Sequence, residues 1–165
     1  MARMPQTSAR ASLLDRLRSV SADGIGGASG DSGGDGLSVR ELKRVVAADL
    51  EALLNTRREA LVEIGPEFPE ARRSLLTYGL PDFSASSLMG PADVRRVCGS
   101  IEDAIALFEP RLTRVQVAVD PPRPNDRALR FRVGGWLRSD PIPERVTFDG
   151  VLQPSTQQYS IKDDT

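Results

Sequence analysis

The side chains with the most ready acid–base or nucleophilic chemistry in this 165-residue chain are 23 Asp and Glu carboxyls and one thiol, Cys98, because histidine is absent. Without an imidazole there is no Ser-His-Asp or Cys-His nucleophile, and a zinc site would lack one of its usual ligands. Glycoside hydrolysis needs only two carboxyls at a set separation, one with a raised pKa. No spacing along the chain singles out such a pair. Cys98 falls inside an apolar helical stripe and reads as a small buried hydrophobe rather than a reactive thiol. The glycines make no phosphate loop: neither G-x-G-x-x-G between a strand and a helix nor G-x-x-x-x-G-K-[ST] occurs. The expectation is a non-enzyme with no catalytic residue, no metal and no cofactor.

The charged residues with the most distinctive placement are Glu109 and Arg111, in Glu109-Pro110-Arg111-Leu112. The proline sits between a helical and a strand-like stretch and fixes the direction of the break. Its two charged neighbours can pair locally or meet charges on a partner. Arg130, Arg132 and Arg138, with Phe131 and Trp136, raise the question of a nucleic-acid-binding sheet. Alternation puts Phe131 on the face opposite Arg130 and Arg132, which leaves a solvated strand face. A net charge of −1 adds no global field for nucleic acid or anionic membrane.

The elements that must position these residues are legible in the hydrophobic period. Ser38-Val39-Arg40-Glu41 is a capping box. Leu42, Val45, Val46, Leu50, Leu53 and Leu54 follow at helical spacing, and Asn55-Thr56 closes the helix with Arg57 and Arg58 near its negative end. Gly79 and Pro81 mark a turn that packs Tyr78, Leu80 and Phe83 on the core. Pro91 opens a second helix whose stripe is Val94, Val97, Cys98, Ile101, Ala104, Ile105 and Phe108. Asp93, Arg95, Arg96, Glu102 and Asp103 are expected to face away from it. The period then changes to two at Val115, Val117 and Val119, at Leu129, Phe131 and Val133, and at Val146 and Phe148, with a short last strand near Tyr159–Ile161. Helices first and strands later imply an α+β fold: two main helices packed on a small antiparallel or mixed sheet formed by the C-terminal half.

Three stretches divide the chain. Residues 37–165 carry the folded domain. Residues 21–36 contain seven glycines among sixteen residues and read as a flexible linker. Residues 1–20 hold Leu13, Leu14 and Leu17 on one face of a short helix, an apolar patch suited to dock on a partner or fold back on its own domain. No apolar run approaches the ~20 residues that cross a bilayer, and Asp15, Arg16 and Arg18 interrupt any secretory h-region. One cysteine makes no internal disulfide and suits a reducing compartment.

Ordered motifs then suggest a family. Ser12 to Leu17, Asp49 to Arg58, Ser74 to Asp82 and Phe108 to Leu112 occur in the order expected of the TssE family of type VI secretion systems, and the chain resembles that family from residue 11 to about 152. TssE is similar to the small wedge protein of contractile phage tails, a wider family labelled lysozyme-like. The resemblance implies a cytoplasmic, non-catalytic subunit that joins the TssF–TssG wedge, with TssK nearby and no direct membrane insertion. It further implies a platform on which the first ring of TssB/TssC sheath polymerises, with strand addition as the mode of contact. Carried over, Glu109 and Arg111 are the charged pair at the sheath or wedge junction, and Leu13, Leu14 and Leu17 hold the wedge. A peptidoglycan hydrolase, prompted by the lysozyme-like label, and a generic adaptor domain are the alternatives.

Overall fold

The computed structural model describes residues 38–58, 64–65, 67–83, 90–121, 128–139 and 142–164. The expected docking helix with Leu13, Leu14 and Leu17 and the glycine-rich linker lie outside these residues.

Helix α1, Val39–Asn55, begins at the expected capping box. Ser38 N donates to Glu41 Oε2 at 2.9 Å, and Glu41 N donates back to Ser38 Oγ at 3.3 Å. These bonds satisfy two donors that a helix start leaves orphaned, and the bond from the Ser38 side chain is the main reason the Glu41 carboxyl is held below its ordinary pKa. The face bearing Leu42, Val46, Leu50, Leu53 and Leu54 is buried. Arg57 and Arg58 do more than follow the helix end. They form a two-residue strand, β1 (Arg57–Arg58), parallel to β2 (Leu80–Pro81). Gly79 makes this pairing possible: its φ is +102°, and a Cβ there would lie 2.3 Å from the Thr56 carbonyl oxygen. Only glycine combines that dihedral with so close a backbone approach. The expected core role of this segment holds, with Leu80 buried and Tyr78 and Phe83 packed against the core.

Helix α2, Pro91–Phe108, starts with Pro91 in its first turn, where a missing N–H costs nothing. It ends before Pro110, and Glu109 N makes the last helical bond, to Ile105 O at 2.8 Å. Val97, Ile101, Ala104 and Ile105 form its buried face. Cys98 is half-buried rather than fully enclosed, and burial, with a smaller effect of Glu102, pushes its thiol pKa up. A raised pKa means less thiolate and less reactivity.

The C-terminal half is a four-stranded antiparallel meander: β3 (Leu112–Val119), β4 (Leu129–Leu137), β5 (Glu144–Gln153) and β6 (Gln158–Asp163), in that spatial order. Its inward residues include Phe131, Val133, Leu137, Val146, Phe148, Leu152, Tyr159 and Ile161, all buried. Both helices pack on the sheet, α1 over β6 and α2 over β3. The Phe131 ring lies against Gly150, its register partner on β5, where any Cβ would come within 2.3 Å of the ring. It also meets Tyr159 edge to face, with ring centroids 6.2 Å apart. The fold is α+β, and the one parallel pair among the described residues is β1–β2, outside the main sheet.

Candidate partner-binding site

Three segments far apart in sequence converge where α2 turns into β3. Glu109, the residue that closes α2, is 4% exposed. Arg111, two residues on, wraps it: Nε donates to Glu109 Oε1 at 2.6 Å and Nη2 donates to Oε2 at 2.5 Å. The Arg111 backbone N–H adds a third bond, to Oε1 at 3.2 Å. This is the two-pronged geometry in which guanidinium and carboxylate match best. Arg111 Nη2 also donates to Asp49 Oδ2 at 2.5 Å, across 62 residues. One arginine therefore ties α1 to the α2–β3 corner. Its pKa is raised still further above its ordinary value, first by the bonds to Glu109 and then, against some desolvation, by Asp49.

Tyr78 stands beside this cluster. Its ring meets Phe108 at a centroid distance of 5.1 Å and an interplanar angle of 71°. Burial pushes its phenol pKa up, and the charges of Asp49 and Glu109 push in the same direction. The two expected site residues, Glu109 and Arg111, thus sit together, and their charges meet each other and Asp49.

The sheet has two outer strands, β3 and β6, and both edges are met by side chains from the helices. On β6, the Asn55 amide imitates a strand: Nδ2 donates to Tyr159 O at 2.8 Å and Oδ1 accepts from Tyr159 N at 2.9 Å. Glu51 Oε2 accepts from Ile161 N at 2.8 Å. On β3, Glu102 Oε1 accepts from Val117 N at 2.6 Å. Glu102 was expected to face away from the fold; it reaches the sheet instead, because an outer-strand amide lacks a strand neighbour and a helix carboxylate is close enough to serve.

Other exposed features are simpler. Arg132 lies on the solvent face of β4 and donates through Nε and Nη2 to Asp120 Oδ1 at 3.0 and 2.6 Å, as expected of a solvated strand face. Phe68, Leu75 and Leu76 are exposed around two short 3₁₀ turns, Ala71–Arg73 and Leu75–Thr77. Among the described residues, no group of three or more His, Cys, Asp or Glu could hold a metal ion, and no helix is long and apolar enough to cross a membrane.

Asp49, Glu51, Asn55 and Glu102 make contacts that the sequence does not announce: it marks Asn55 only as a helix end and Glu102 only as an outward-facing residue. Asp49 and Glu51 are polar positions flanking an apolar stripe, which normally signals solvent. Their partners lie on distant segments, so no local spacing marks them.

The family described as baseplate wedge protein gp25 matches residues 40–142, more than half of the chain, from the first turn of α1 through β4. No curated protein and no solved structure matches the chain.

Proposed function

The chain belongs to the baseplate wedge protein gp25 family, and from that premise we propose that it is the TssE-like wedge subunit of a type VI secretion baseplate. The family makes it a structural protein of a phage-tail-like baseplate whose contacts are with other baseplate proteins. In the fuller reading the subunit works in the cytoplasm without catalysing a reaction. It joins TssF and TssG, lies near TssK, and supports the first TssB/TssC sheath ring by accepting an added strand.

One observation carries this reading. Of the four stretches behind the TssE resemblance, the three among the described residues have members that meet at one corner: Asp49 with Arg111, Tyr78 with Phe108, and Glu109 beneath Arg111. Three motifs with independent local roles have no reason to converge. A shared corner gives them one: it sets the angle between α1, α2 and β3, and so the angle at which a partner meets the sheet. Glu109 and Arg111 act at the partner junction, with Glu109 holding the guanidinium in place. Fixed charges of this kind set register more than they add affinity. Leu13, Leu14 and Leu17 hold the wedge from the end of the linker.

The test is a pull-down of tagged full-length protein from its host, with mass spectrometry of what co-elutes. TssF, TssG and TssK should be recovered. Removal of residues 1–20 should reduce that recovery, and Glu109→Gln should abolish sheath assembly in a protein that still folds. Normal sheath assembly with the folded Glu109→Gln variant would remove Glu109 from the junction, and recovery of none of these partners would overturn the wedge assignment.

A further inference from the structure

Strand addition needs an edge, and the two edges of this sheet are not equivalent. The β6 edge is closed. Asn55 supplies both a donor and an acceptor to Tyr159, as a neighbouring strand would, and Glu51 takes the Ile161 amide. The inward side chains of that strand, Tyr159 and Ile161, are each only 7% exposed. Another strand there would have to displace three bonds and would find no apolar surface left to cover.

The β3 edge differs on both counts. Its described cap is a single acceptor, Glu102 on the Val117 amide. A carboxylate has no proton to give, so it serves an N–H and leaves the carbonyls of the same edge untouched. The inward valines of β3, Val115, Val117 and Val119, are half-buried where those of the other strands are buried, yet they pack against the same core. The core is therefore incompletely covered on this side, which is what a missing outer strand leaves. A register shift lies between Thr113 and Gln116, with Arg114 at φ +52°; it divides the pairing with β4 into a short piece at Leu112–Thr113 and a longer one at Gln116–Val119. A bulge of this type ends the usable edge on one side.

We propose that the β3 edge at Val117–Val119 is the strand-accepting edge, and that Glu102 is a latch which an incoming strand displaces. This rests on the strand-addition reading above and assigns its site. The occupant is an extended segment of another polypeptide. Its residues facing the helices are apolar at alternate positions, to cover the half-exposed valines. Where it runs on toward the bulge it carries an acidic residue on its solvent face, because Arg114 is exposed at that end and β3 has no carboxylate from 112 to 119. A carbonyl of the incoming strand takes over the Val117 amide, so the bond to Glu102 is exchanged rather than lost. Glu102 moves from a half-buried position into solvent, where its charge is better hydrated.

The experiment places a photo-crosslinking phenylalanine analogue at Ala118 or at Ser160 in full-length protein within assembling cells, and maps the crosslinked peptides by mass spectrometry. Both positions are exposed, one on each outer strand. Crosslinks from 118, into an extended segment of a sheath or baseplate subunit, with little from 160, are the expected result. In the isolated protein, Glu102→Ala should raise amide exchange at Val117 about tenfold while Tyr159 and Ile161 stay protected, and assembly should protect Val117 again. Crosslinks from 160, or equally from both, would overturn the edge assignment while leaving strand addition standing. Crosslinks to a second copy of this chain would overturn the occupant. Crosslinks from neither position, in cells that still assemble sheath, would overturn strand addition itself.

Discussion

Among the described residues, two of the polar seams that tie α1 to the rest of the molecule are built on opposite principles. In the middle of α1, Asp49 reaches Arg111 and through it the buried Glu109. At the end of α1, Asn55 meets the Tyr159 backbone, 104 residues away, with no charge involved. The charged seam contains a carboxylate that is 4% exposed and stays comfortable only while its guanidinium is present. The neutral seam is matched bond for bond, so each group is satisfied by one that would otherwise need water. The charged seam is thus costly to break from one side, and the neutral seam is the better imitation of secondary structure.

The sharpest way to break this comparison is Arg111→Ala. It leaves Glu109 buried without its partner and Asp49 without its contact, and should destabilise the fold by about 3 kcal/mol, the low end for a buried pair because Arg111 retains 22% of its side-chain exposure. Arg111→Lys keeps the charge but loses the two-pronged geometry, and should recover part of that loss. Urea unfolding at neutral pH measures both. Equal stability of Arg111→Ala and the unaltered protein would make the corner an ornament.

The neutral seam should give a smaller loss. Asn55→Ala strips the Tyr159 N–H and C=O of their partners and should cost about 1–2 kcal/mol by the same measurement. Asn55→Asp separates the two halves of the effect: it keeps an acceptor for the N–H but sets a carboxylate against the Tyr159 carbonyl. It should be no more stable than Asn55→Ala. A larger loss from Asn55→Ala than from Arg111→Ala would reverse the ranking of the seams.

The same contrast explains what could be read from the chain alone. Ser38 with Glu41, Pro91 with Pro110, and the alternation through β3, β4 and β5 are local signals, and each element formed where its signal lay. The β1–β2 pair carries no such signal, because two residues per strand show no period, and its pairing depends on the Thr56 carbonyl meeting Leu80 N beside Gly79. Glu109 and Arg111 drew attention because they flank a proline, and local pairing between them was one of two open readings. Asp49 did not, since its partner is 62 residues away. Glu102 was misread for a related reason: a carboxylate on a helix flank looks solvated unless the amide it serves is known, and Val117 N is a backbone group that every sequence contains.

The finest test uses the two tyrosines, Tyr78 and Tyr159, the only ones in the chain and one beside each seam. Burial raises both phenols. Tyr159 is pushed up to about 12 from an ordinary 10.0, with Arg57 pulling slightly the other way. Tyr78 is raised by burial and additionally by Asp49 and Glu109. A phenol whose folded pKa is raised binds its proton more tightly in the folded state, so its contribution to stability is complete below about pH 10 and is lost as pH rises through about 12. Phenolate absorbance of the folded protein should therefore appear later in an alkaline titration than that of the urea-unfolded chain. Tyr78→Phe and Tyr159→Phe assign the two phases. Removing Arg111 leaves the carboxylates beside Tyr78 unneutralised, so Arg111→Ala should move the Tyr78 phase upward and leave the Tyr159 phase where it was. Equal movement of both phases would mean that the seams are one cooperative unit and that the distinction between charged and neutral stitching has no energetic content.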